Sequence, residues 1–108
     1  MDNRPGTIRK AAVSGTFYPS ELCHLRDMVI GFLGEAEGGL VPGELIALMT
    51  PHAGYIYSGK TAGWAYRQLE NRAYDSIILL GPSHFAPVNG IAVATEEAYE
   101  TPLGVVSI

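Results

Sequence analysis

Two histidines stand in matched settings. Pro51-His52-Ala53-Gly54-Tyr55 follows the apolar run Leu45–Met49, and Gly81-Pro82-Ser83-His84 follows the apolar run Ile77–Leu80. Short apolar runs bounded by turn residues read as buried strands. Each strand therefore feeds a proline-braced loop that carries an imidazole. The histidines are about 32 residues apart, close to the roughly 30 of one βαβ unit. A right-handed crossover makes the two strands parallel. Both loops then sit at the carboxyl edge of one sheet, where open α/β sheets hold their ligands. Imidazole suits iron, copper, zinc and nickel, and two histidines plus one carboxylate leave positions open on Fe(II) for substrate and oxygen. Pro51 and Pro82 stiffen the loops, as an oriented metal ligand requires. Taken singly, each residue reads as a partly exposed loop histidine; their pairing favours a site.

The elements that must position this pair follow from periodicity. Met1–Pro19 reads as irregular, punctuated by Gly6, Gly15 and Pro19. Ser20 is placed to cap a first helix, Ser20–Leu33, whose stripe is Leu22, Leu25, Met28, Val29, Phe32 and Leu33. Gly38-Gly39 stops it, and Pro42-Gly43 turns the chain into the first strand. Ser58 caps a second helix running to Glu70, with Ala62, Ala65, Tyr66 and Leu69 on its buried face. Gly90–Thr95 reads as a third strand. Thr101-Pro102-Leu103-Gly104 is a tight turn into a fourth strand begun by Val105–Ile108. The order α-β-α-β-β-β predicts an α/β fold, a layered sheet with flanking helices.

A second motif competes for the same loop. Gly54-Tyr55-Ile56-Tyr57-Ser58-Gly59-Lys60-Thr61 matches the phosphate-loop pattern letter for letter and lies between a strand and a helix. Three features weigh against it. Tyr55, Ile56 and Tyr57 hinder the curl of successive N–H groups that an anion cradle needs. The first glycine comes five residues after Met49. The neighbouring strand ends in Gly81-Pro82-Ser83-His84, without the carboxylate that a nucleotide hydrolase uses near its magnesium. The plainer reading makes Ser58 a helix cap and Lys60 a solvated residue of the first turn.

Composition narrows the classes. The 108 residues suffice for one small domain. Net charge is −4, and the 7 Lys+Arg do not cluster, so a nucleic-acid footprint is not expected. Charged residues make up 17%, below the usual quarter, which suggests a surface covered by other sequence or another chain. No apolar run approaches the ~20 residues of a membrane span, and MDNRPGTIRK does not read as a secretory signal. One cysteine, Cys23, permits no intrachain disulfide, and a cytoplasmic setting is expected.

Four motifs then occur in order: Ala11–Pro19 (AAVSGTFYP), Pro51–Gly59 (PHAGYIYSG), Gly81–His84 (GPSH) and Thr101–Gly104 (TPLG). Together they resemble the Memo family, the mediators of ErbB2-driven cell motility, also called AmmeMemoRadiSam system protein B in bacteria and archaea. The resemblance covers almost the whole chain and implies the fold of class III extradiol dioxygenases, incomplete here, with residues 1–108 the N-terminal portion of a single Memo-like domain. It implies that His52 and His84 are two family histidines lining a metal-binding pocket for iron or copper. The family's third ligand is a cysteine that would lie beyond this chain. Cys23 is not that residue, and reads as a small half-buried helix position beside a surface His24. Tyr55 is a candidate to hydrogen-bond a ligand in the pocket, or a packing aromatic. Ser83 is a candidate to orient a bound water, or to close a turn. Glu96, Glu97 and Glu100 read as a solvated acidic loop.

The resulting expectation is a metal-dependent, dioxygenase-related oxidoreductase. Recognition of a small molecule or phosphotyrosine-type peptide without turnover is the alternative, and nucleotide binding at Gly54–Thr61 ranks third. Family members are more than twice as long, so self-association or a complementary C-terminal chain is expected to complete the sheet and the site.

Overall fold

The computed structural model describes residues 6–108; the first five residues of the segment read as irregular lie outside them. In chain order the elements are β1 (Ile8–Arg9), α1 (Leu22–Glu35), α2 (Tyr55–Tyr66) with a 3-10 turn at Arg67–Leu69, β2 (Ala98–Thr101) and β3 (Gly104–Ser107).

Helix α1 starts two residues later than expected because Glu21, not Ser20, caps it. The Glu21 carboxylate accepts the backbone N–H groups of Cys23 at 3.0 Å and His24 at 2.8 Å. A charged acceptor long enough to take two orphan N–H groups also complements the positive end of the helix. Those two bonds hold the Glu21 carboxyl below its usual pKa. The predicted stripe faces inward from Leu25 onward: Leu25 is buried, and Met28, Val29, Phe32 and Leu33 are half-buried. Leu22, at the first residue of the helix, stays exposed.

Helix α2 begins at Tyr55, three residues before the expected Ser58. The Tyr55 N–H donates to the Phe17 carbonyl at 2.7 Å, so the TFYP loop caps this helix in place of a side chain. The buried positions of α2 are Gly59 and Gly63, one turn apart and against Phe32 of α1. A Cβ on Gly59 would lie 2.3 Å from the Phe32 ring, and one on Gly63 would lie 2.5 Å from the Phe32 carbonyl oxygen. The bare glycine faces let the two helices meet at backbone distance. Arg67 closes the junction by donating Nη1–H to the Leu33 carbonyl at 2.8 Å, which satisfies one orphan acceptor at the end of α1.

The sheet has the order β1-β2-β3, with β1 parallel to β2 and β2 antiparallel to β3. Thr101 pairs with Gly104 across the Pro102-Leu103 loop, in the expected tight turn. The Thr101 hydroxyl accepts the Leu103 N–H at 3.1 Å and donates to the Gly104 carbonyl at 3.0 Å. Two sequence readings change here. Ile8–Arg9 falls in the segment read as irregular, yet it pairs with Ala98–Tyr99. Glu100, read as part of an acidic loop, lies within β2 and meets Lys10 at 2.6 Å.

The larger correction concerns the expected parallel strands. Leu45–Met49, Ile77–Leu80 and Gly90–Thr95 form no strand among the described residues. A strand exists through hydrogen bonds to a neighbour, and no neighbour here supplies them. Ile46 is 89% exposed and Leu80 90%. The first two segments nevertheless run side by side in one direction, as the crossover demands, joined by side chains. Arg72 donates to the carbonyls of Gly43 and Val41 at 2.8 and 2.9 Å, and the Tyr74 hydroxyl donates to that of Leu45 at 3.3 Å. The result is a small α/β architecture of two helices and a three-stranded mixed sheet. No helix of the described residues is long and apolar enough to cross a membrane.

Candidate functional site

The side-by-side segments deliver the two imidazoles to one point. His52 Nε2 and His84 Nε2 are 3.1 Å apart, with ring centroids 5.2 Å apart and planes inclined by 41°. Two metal–nitrogen bonds of about 2.0–2.1 Å, at angles between octahedral and tetrahedral, leave their nitrogens roughly 2.8–3.4 Å apart. The observed separation falls inside that window. It also suits one neutral imidazole donating its N–H to the bare nitrogen of the other. Both rings are exposed, so an incoming ion would reach them without displacing protein. Among the described residues no third His, Cys, Asp or Glu joins them. The pair thus fits two positions of a coordination shell and leaves the others to further donors.

A pocket of about 490 Å³ opens on one side of His52. Its walls come from the TFYP loop, from α1 and from the first turns of α2, with Phe17, Tyr18, Phe32 and Tyr55 the principal aromatics. Tyr55 is half-buried there, its ring 5.5 Å from that of Tyr18 and edge-on to Phe32 at 6.4 Å. Burial, reinforced by the neighbouring Tyr18 and Tyr66, raises the Tyr55 pKa. The phenol is therefore a neutral group able to donate or accept one hydrogen bond. His84 and Ser83 do not line this pocket. The Ser83 hydroxyl donates to the Ala86 carbonyl at 2.6 Å and closes a turn.

The remaining candidates separate cleanly. Cys23 is exposed on α1, not half-buried as expected, and the charge of Glu21 beside it raises its thiol pKa. Gly54–Thr61 forms no loop: the helix already runs from Tyr55, and Lys60 pairs with Glu35 at 3.3 Å. The N–H groups of Tyr57 and Ser58 turn back to the Gly54 carbonyl rather than around an anion. What sequence reasoning missed is the part played by Phe17 and Tyr18 as a wall of the pocket. The only available signal was their place in a conspicuous motif.

A family model described as Memo-like protein matches residues 9–108. The chain belongs to the Memo-like family. It is 44% identical over 104 residues to a MEMO1 family protein of Aquifex aeolicus, covering 94% of this chain and 36% of that one. Against the protein memo-1 homolog of Caenorhabditis elegans it is 38% identical over 96 residues, covering 89% and 27%. Against Protein MEMO1 of Danio rerio it is 35% identical over 103 residues, covering 95% and 34%. The chain thus spans about a third of the length of these Memo-like relatives, the N-terminal part of the family, and carries both histidine loops within it.

Proposed function

We propose that this Memo-like chain supplies two ligands, His52 and His84, to a redox-metal site, iron or copper, in a dioxygenase-related pocket. The observation that supports this reading is the 3.1 Å approach of the two Nε2 atoms, reached from loops distant in sequence. Such a metal would supply a Lewis acid and a one-electron couple, with open positions for substrate and oxygen. The protein's own part is to hold two imidazoles at a fixed spacing on stiffened loops. Beside them it presents the apolar pocket, with the Tyr55 hydroxyl as a hydrogen-bonding group for a bound small molecule. The third donor comes from outside these residues. A reducing, cytoplasmic setting goes with a single thiol and a ferrous or cuprous ion.

The aromatic pocket also favours the second reading, in which a small molecule or peptide is bound without turnover. Metal analysis separates the two. Protein purified without chelator and titrated anaerobically with Fe(II), then with copper, should bind one equivalent weakly, because two imidazoles leave the shell unfinished. His52→Ala and His84→Ala should each weaken that binding further. Metal uptake indifferent to both substitutions would leave only the binding module.

A further inference from the structure

We infer that Ser83 is a positioning residue for His84: its hydroxyl fixes the loop from which this imidazole reaches His52. The inference rests on the reading above that the two rings form one site.

The two imidazoles arrive on unequal supports. His52 stands just before α2. The start of that helix is anchored by the Tyr55 N–H on the Phe17 carbonyl at 2.7 Å. The Ser58 hydroxyl then reaches back to the Ala53 carbonyl at 3.2 Å. The residue next to His52 is thereby tied to an element whose backbone is already satisfied.

His84 has no such support. It lies in a stretch without helix or strand between Arg67–Leu69 and β2. Among the described residues, no backbone-to-backbone hydrogen bond involves residues 73–95. Every residue from 81 to 90 is exposed, so packing does not hold the loop either. Within residues 76–94 two hydrogen bonds remain: the contact with His52, and the Ser83 hydroxyl on the Ala86 carbonyl at 2.6 Å.

The second of these encloses His84. Its donor residue immediately precedes the histidine, and its acceptor follows at Ala86. Closing that ring confines the backbone of His84 and Phe85 and removes conformations from an otherwise free loop. On the near side Pro82 locks its own φ. His84 is thus held between a locked proline and a closed turn, and from there its Nε2 meets that of His52 at 3.1 Å. The single hydroxyl hydrogen of Ser83 is committed to Ala86. Ser83 therefore acts through the placement of His84.

Nuclear magnetic resonance of the metal-free chain tests this, through cross-relaxation between the ring protons of His52 and His84. In Ser83→Ala the balance between converged and separated rings should shift about five-fold toward separation, the share that one neutral hydrogen bond carries. Ser83→Thr keeps a hydroxyl and should restore the contact. Ser58→Ala should shift the balance less, because the Phe17 anchor of α2 remains. Circular dichroism of α1 and α2 should be the same in all three variants. Copper titration then extends the test to the site. Ser83→Ala should weaken binding about 10-fold, the lower end for a lost supporting partner, and Ser83→Thr should stay near the wild type.

An unchanged ring contact in Ser83→Ala would overturn the inference. So would a wild type without the contact, or a loss in Ser83→Thr as large as in Ser83→Ala. Copper affinity unchanged in Ser83→Ala would overturn it too, since the ion alone would then gather the rings. A wild-type chain that takes up no copper, yet loses its ring contact in Ser83→Ala, removes the metal reading and keeps Ser83 as the residue that pairs the histidines.

Discussion

The α1–α2 pair and the two histidine-bearing segments are built from similarly apolar sequence, yet they reach different ends. In the helices one apolar face finds partners nearby, although Ile30, Ile56 and Tyr57 stay exposed. Phe32 fills the notch of Gly59 and Gly63, Phe17 caps α2, and Arg67 closes the end of α1. In Leu45–Met49 and Ile77–Leu80 the same kind of residue faces solvent. A helix satisfies its backbone internally and needs only one face covered; a strand needs a neighbour for its backbone as well. One region is thus self-sufficient in its backbone hydrogen bonding, and the other has no strand partner among the described residues. The two histidines sit on the loops that follow the segments without strand partners.

Four tests break or sharpen this contrast, beginning with the largest effect. Removing one imidazole takes away one of three donors, so His52→Ala or His84→Ala should weaken metal binding by at least about 100-fold in a completed protein, beyond the 10–100-fold cost of losing a supporting residue. Because both rings are exposed, isothermal titration should show that loss with an unchanged thermal midpoint for the metal-free protein. A matching drop in midpoint would mean that the histidines belong to the self-sufficient region.

The helix pair should respond in the opposite sense. Gly63→Ala drives a methyl group into the Phe32 backbone carbonyl, which cannot rotate away, and should cost about 1–3 kcal/mol in denaturant unfolding. Gly59→Ala meets only the Phe32 ring, which can turn, and should cost less. Equal costs would show that the helices do not meet at this notch.

Smaller still is Arg67→Ala, which frees the Leu33 carbonyl and should cost about 1 kcal/mol. Circular dichroism of the last turn of α1 checks it, and Arg67→Lys should restore only part of the loss. The smallest effect concerns the Glu21 cap. Its carboxyl is held below the usual 4.5 by the N–H groups of Cys23 and His24. The folded pKa is therefore depressed, and the contribution is present above about pH 4.5 and lost as pH falls through the folded value. Glu21→Gln should flatten this acid limb of helix content; an unchanged acid profile would remove Glu21 from the cap.

The same contrast explains what could be read from the sequence. The α1 stripe from Leu25 to Leu33 was legible because a helix carries its own periodicity. The convergence of His52 and His84 followed from equal spacing after two apolar runs. The caps were misplaced: Glu21 outreaches Ser20, and the helix at Tyr55 is started by Phe17, a tertiary contact with no local signal. Gly59 matched a phosphate loop by letters, whereas its task is to receive Phe32. The strands were read from apolarity alone, and apolarity does not say who the neighbour is. The short β1–β2 pairing was missed because two residues carry no period.

The most direct test of the account is pulsed electron paramagnetic resonance on the protein loaded with one equivalent of Cu(II). The account predicts nitrogen couplings from two imidazoles in the wild type, falling to one in His52→Ala and to one in His84→Ala. Couplings that are absent, or that persist unchanged through both substitutions, would contradict it.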